Sequence, residues 1–124
     1  DVVVSNFSLV SDLLSCNLEF TGTALDLSTQ NLTEIINIDA LAQLTQLILA
    51  DNSISVLCSF DSMVNLNSFY IGTNDITTAE WNKLATWVPL SAATGTISTS
   101  PNTDSFATST TYTLLAAKGG WTIS

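Results

Sequence analysis

The sequence predicts an α/β solenoid: short parallel strands stacked on one concave face, with helices or turns on the convex face. Three observations lead there. Apolar residues recur at one fixed spacing through the middle of the chain, the signature of stacked units. Towards the C-terminus the spacing lengthens, and helix signals fall between the strand signals. Finally, apolar residues make up 46% of the 124 residues and charged residues only 10%. Such a chain folds around a core rather than staying disordered, and no apolar run approaches the ~18 residues of a membrane span.

The elements follow in order within one domain, residues 1–124. Residues 1–24 read as an N-terminal cap. Val2-Val3-Val4 lies one period before Leu25 and fits a first strand, and Leu9, Val10, Leu13 and Leu14 fit a short amphipathic helix. Capping is needed because the end of a stack otherwise exposes core. Residues 25–94 hold the core repeats. Leu25-Asp26-Leu27-Ser28-Thr29-Gln30-Asn31-Leu32, Leu47-Ile48-Leu49-Ala50-Asp51-Asn52-Ser53-Ile54 and Phe69-Tyr70-Ile71-Gly72-Thr73-Asn74-Asp75-Ile76 start 22 residues apart. Apolar-x-apolar is a short strand with both apolar side chains on one face. Ile35, Ile38, Leu41 and Leu44, then Leu57, Phe60, Met63 and Leu66, continue each unit into the interior. Asn52 and Asn74 stand where the chain leaves the strand, so their amides can bond the backbone of adjacent turns as a ladder. Gln30 occupies that slot in the first unit, with Asn31 one place late.

Residues 95–124 form longer turns. Gly95-Thr96-Ile97 begins 26 residues after Phe69, and Trp121-Thr122-Ile123 begins 26 after Gly95. Thr77 and Glu80 fit a capping box, and Trp81, Leu84, Trp87 and Val88 fit a helical stripe ended by Pro89. Thr108 to Thr111 offer caps for a helix through Leu114, Leu115 and Ala116, with Lys118 in its last turn and Gly119 as its stop. The sheet is expected to hold about five to six strands.

The repeated units resemble the leucine-rich repeat family in its short, internalin-like form. The segment Leu114-Leu115-Ala116-Ala117-Lys118-Gly119-Gly120-Trp121-Thr122-Ile123 is similar to the closing segment of some leucine-rich surface proteins of bacteria and their phages. The resemblance implies that the concave face is the binding face. There the middle residues of the strands run Asp26, Ile48, Tyr70, Thr96 and Thr122. The next row is Ser28, Ala50, Gly72, Ser98 and Ser124, and the next Thr29, Asp51, Thr73 and Thr99. Only Ile48 and Tyr70 are bulky, and they predict an exposed apolar-aromatic spot ringed by small polar residues, as many protein interfaces are built. The expected partner-binding residues are therefore Asp26, Ile48, Asp51, Tyr70, Thr73 and Thr96. Trp81, Trp87 and Trp121 read as core plugs of the wider turns.

Charge narrows the partner. Eleven acidic residues face two lysines and no arginine or histidine, a net charge of −9. Nucleic acid needs cationic groups against its phosphates and is excluded as a partner, and an anionic membrane surface is disfavoured. No triad with a histidine base and no histidine metal ligand exists. Carboxylates are spread along the repeat rather than paired, and no glycine-rich phosphate loop is present, so no enzyme and no cofactor are expected. Asp26, Asp51 and Asp75 lie near one edge of the strand rows, where they either keep the surface solvated or attract a calcium ion or basic partner. The first reading is the solvated surface, with no metal.

Cys16 and Cys58 fall about two turns apart, beyond the ~7 Å reach of a disulfide, and read as buried thiols. An irregular cap would bring Cys16 closer, which leaves a bridge open. Asn6-Phe7-Ser8 and Asn31-Leu32-Thr33 are sequons that read as chance in a chain with 16 serines and 18 threonines. The first residue is Asp1, with no leader-like stretch ahead, which reads as a processed or excised chain. Two roles are expected: a secreted, cell-surface or virion module that binds a protein through its concave face, or a structural subunit that meets copies of itself through the terminal strand, whose outer edge nothing covers.

Overall fold

The computed structural model describes residues 22–35, 38–88 and 93–124. The expected strand at Val2–Val4, the cap helix, Cys16, the sequon at Asn6 and the helix stop at Pro89 lie outside these residues.

The described chain is α/β. Five short strands form one parallel sheet: β1 (Ala24–Asp26), β2 (Gln46–Ile48), β3 (Ser68–Tyr70), β4 (Gly95–Ser98) and β5 (Trp121–Ile123). They lie side by side in chain order. Leu25 pairs with Leu47, and Leu47 with Phe69, so the 22-residue spacing of the sequence is the register of the sheet. Leu25, Leu47, Phe69 and Ile97 each turn one buried side chain to the same core. The connections send Leu32, Ile35, Leu41, Leu44, Ile54, Leu57, Phe60, Met63 and Leu66 into that core from the other side. Buried residues from successive turns thus belong to one continuous cluster.

One register departs from the expected spacing. The sequence reading set Gly95 against Phe69, but Phe69 pairs with Ile97, 28 residues on, and Ser68 with Thr96. The phase was hidden because Thr99 takes the place that Leu27, Leu49 and Ile71 hold in the earlier units. Thr99 is 5% exposed and its hydroxyl donates to the Ser124 carbonyl at 3.0 Å, which satisfies the polar atom of a side chain shaped like valine. The last interval agrees with expectation, since Gly95 pairs with Trp121 and Ile97 with Ile123. Gly95 has to be glycine: a Cβ there would lie 2.4 Å from the Asn67 carbonyl and 2.8 Å from the Trp121 ring.

The extra residues of the third turn are spent between β3 and β4. Helix α1 (Thr78–Trp81) is a single turn that passes into a 3-10 segment, Asn82–Leu84. The expected longer helix fails for a geometric reason. Trp81, Leu84 and Trp87 recur every third residue, which stacks on one side of a helix with three residues per turn. All three are fully buried. The expected capping box is also absent, because Thr77 makes no side-chain cap bond. Glu80 instead reaches to the preceding turn and accepts from the Leu57 amide at 2.8 Å, while Lys83 donates to it at 2.7 Å. Helix α2 (Thr110–Lys118) is capped by Ser109, whose oxygen accepts from the Tyr112 amide, and ends at Gly119 with φ +75°.

Large rings fill the wider turns. Phe60, Phe69 and Trp87 meet edge to face with centroids 5.3–6.5 Å apart. Trp121 stands edge-on to Trp87 at 5.7 Å, and it is only half-buried. Both buried indoles are satisfied: Trp87 donates to the Met63 carbonyl and Trp81 to that of Asp104. Cys58 is half-buried and packs against the core. No helix among the described residues is long and apolar enough to cross a membrane.

Candidate functional site

The face of the sheet opposite the core carries the alternate strand residues. Asp26 pairs with Ile48 and Ile48 with Tyr70. Ile48 and Tyr70 are therefore neighbours, about 4.8 Å apart along the sheet. Both are half-buried rather than fully exposed. Tyr70 pairs next with Ser98, not Thr96. Thr96, expected in this row, lies two residues lower beside Ser68, as the register requires. Ser124 continues the row in place of Thr122: its amide donates to Ile97 and its carbonyl accepts from Thr99. The open face thus reads Asp26, Ile48, Tyr70, Ser98 and Ser124, with an apolar-aromatic pair between an acid and two serines. Asp26 is held in place by its own turn, its Oδ1 accepting from the Ser28 amide at 2.9 Å and the Ser28 hydroxyl at 2.6 Å.

The rows beyond the strand ends are fixed by backbone bonds. Thr29 donates to Ala50, Asp51 to Gly72, and Thr73 to Pro101. Pro101 therefore ends the row in which Thr99 was expected. Thr29, Asp51 and Thr73 share a left-handed backbone, with φ of 59°, 58° and 57°. This conformation is costly for a β-branched residue such as Thr. At Asp51 and Thr73 the asparagine that follows bonds the carbonyls of its own turn and pins it, whereas the Thr29 turn is held from the following turn, by Asn52 accepting from the Gln30 and Leu32 amides. In the row between, Gly72 permits the close approach of its neighbour: a Cβ there would lie 2.4 Å from the Ser100 carbonyl.

The expected ladder is present and has one more rung than the sequence reading gave it. The Asn52 amide donates to the carbonyls of Leu27, Leu49 and Ala50, and its oxygen accepts from the amides of Gln30 and Leu32. Asn74 repeats this one turn later with Leu49, Ile71 and Gly72 as acceptors and the Ile54 amide as donor. Asn102 is the third rung, bonded to Ile71, Thr99 and the Ile76 amide. The signal for it was in the chain: Asn102 follows Thr99 by three residues, as Asn52 follows Leu49. Gln30 does not act as a rung, and its amide turns back to the Ser28 carbonyl.

These turns, which follow the C-terminal ends of the strands, frame an open groove of about 310 Å³. The three ladder asparagines line it together with Thr73, Asp75, Pro101 and Thr103. Asp51 and Thr73 stand in adjacent turns at the same strand ends, so the structure gathers Asp26, Ile48, Asp51, Tyr70 and Thr73 along one side and leaves Thr96 at the other end of the strands. Asp26, Asp51 and Asp75 are not drawn into one cluster, and no group of three or more acidic, histidine or cysteine side chains able to hold a metal ion occurs among the described residues. Compared with protein-family models, curated proteins and solved structures, the chain has no match.

Proposed function

We propose that the chain is a leucine-rich repeat solenoid of short turns, and that it acts as a non-enzymatic, secreted or surface-exposed module binding a protein partner through its concave face. The observation that carries this reading is the pairing of Ile48 with Tyr70 on the face opposite the core. The repeat brings an aliphatic and an aromatic side chain together where every neighbouring position is small or polar. Interfaces concentrate their energy in such anchors, ringed by neutral contacts that exclude water. The asparagine ladder supports it by stiffening the turns beneath, so that little ordering remains to oppose binding. The leucine-rich reading draws on the same ladder and on the 22-residue register.

The test is site-specific crosslinking. A photoreactive residue at Ser68, beside Tyr70, should trap a discrete partner from the native milieu, and one at Ser62, in a connection, should not. Tyr70→Ala and Ile48→Asp should abolish that capture while leaving the fold intact. Equal capture from both positions, or capture indifferent to both substitutions, refutes the concave-face reading.

One observation favours a second reading, a structural subunit of a virion or surface assembly. The equivalent core residues of β1 to β4 are at most 2% exposed, whereas Trp121 and Ile123 in β5 stay half-exposed. A second copy packed against that layer would seal it. This reading expects oligomers in sedimentation, weakened more by Trp121→Ser than by Tyr70→Ala.

A further inference from the structure

We infer that the groove beside Asp75 receives a lysine or arginine side chain of the protein that docks on the concave face. The inference rests on that docking reading and supplies its charge specificity. Among the described residues, Asp75 is the only ionisable one lining the groove. It is exposed, and its carboxylate makes no hydrogen bond among the described residues. The ladder amides are not available to a ligand, since their donors are spent on main-chain carbonyls. What the groove offers is thus one carboxylate, the exposed Thr73 and Thr103 side chains, and the ring of Pro101. That set suits a cationic head on an aliphatic stem: oxygens for the head, an apolar wall for the methylenes. The Asp75 carboxylate repels an anion, against which the groove sets only the two threonine hydroxyls.

Size and surroundings agree. At about 310 Å³ the groove is at the small end of ligand pockets and takes one side chain more readily than a whole ligand. Its lining includes Thr73, three residues beyond Tyr70 along the chain, within the span that one extended segment of a partner covers. Among the described residues, neither lysine lines it. Lys83 pairs with Glu80 in a connection, and Lys118 lies in the last turn of α2. The net charge of −9 favours approach of a basic segment from any direction, and the groove gives that attraction a place to settle.

The experiment is an NMR titration of the ¹⁵N-labelled chain with the blocked tripeptide Gly-Arg-Gly, with Gly-citrulline-Gly as the uncharged control. The arginine peptide should shift the amides of Thr73, Asp75, Asn102 and Thr103 saturably, and citrulline should not. Asp75→Asn should weaken the response roughly threefold to fivefold, as for a lost exposed ion pair. Asp51→Asn, one turn away, should leave it nearly unchanged. Four results overturn the inference: shifts spread evenly over the acidic surface, equal shifts from citrulline, no effect of Asp75→Asn, or an equal effect of Asp51→Asn. The spectrum of each variant also reports whether it is folded. The titration reads the groove alone, and partner capture by the Tyr70 and Ile48 variants reads the face, so either can fail without the other.

Discussion

Asn74→Ala should be among the most damaging substitutions of a polar residue in this chain. The side chain is 7% exposed and accepts from the Ile54 amide at 2.9 Å. It donates to Leu49 and Ile71 at 3.0 Å each and more weakly to Gly72 at 3.2 Å. Truncation removes about three good hydrogen bonds at ~1 kcal/mol net each, and it strands main-chain groups that water reaches poorly. The expected loss is about 3–4 kcal/mol. For a chain of this size that lowers the midpoint of thermal unfolding by on the order of 10–15 °C. Asn52→Ala and Asn102→Ala should cost roughly half as much, because both rungs are only half-buried and water replaces part of what is lost. The exposed Asn65, outside the ladder, is the control, and Asn65→Ala should stay within ~0.5 kcal/mol. The assay is urea and thermal denaturation of all four variants side by side. If Asn74→Ala costs under ~1 kcal/mol, or the order of the three rungs is reversed, the ladder does not hold the turns together.

Gly95→Ala should destabilise by roughly 1–3 kcal/mol in the same assay, since the new methyl overlaps the Asn67 carbonyl and the Trp121 ring. Trp121 fluorescence should change with it. Glu80→Gln should be nearly silent, because an amide oxygen still accepts from Leu57, while Glu80→Ala should cost about 1 kcal/mol. The ion pair with Lys83, whose side chain is 43% exposed, adds little, so Lys83→Met should cost under ~1 kcal/mol in the same assay. Thr29→Asn should stabilise by roughly 0.5–1 kcal/mol, because asparagine tolerates the φ of +59° that the β-branched side chain resists, and a midpoint that falls instead would show that the turn is not strained.

Spacing alone was sufficient to align Leu25, Leu47 and Phe69, because their side chains share one environment and no other phase buries all of them. It also identified Asn52 and Asn74 as rungs, since an amide at the exit of a strand meets backbone on both sides. It placed Asp26, Ile48 and Tyr70 in one row, and that row is where the structure sets them. Local chemistry could not determine what happens after the third strand. There Thr99 fills an apolar slot, and nothing within four residues of it shows that its hydroxyl will meet the Ser124 carbonyl 25 residues on. That one disguise moved Thr96 out of the proposed contact row, brought Ser98 in, and concealed Asn102 as a rung. The single-turn helix followed the same logic: the burial of Trp81, Leu84 and Trp87 against neighbouring turns outweighed the local preference for a longer helix. A repeat is written in the sequence wherever each turn solves its packing in the same way. Where a turn solves it with a partner far along the chain, only the assembled stack decides, because the contact that makes the residue acceptable does not exist until the turns are stacked.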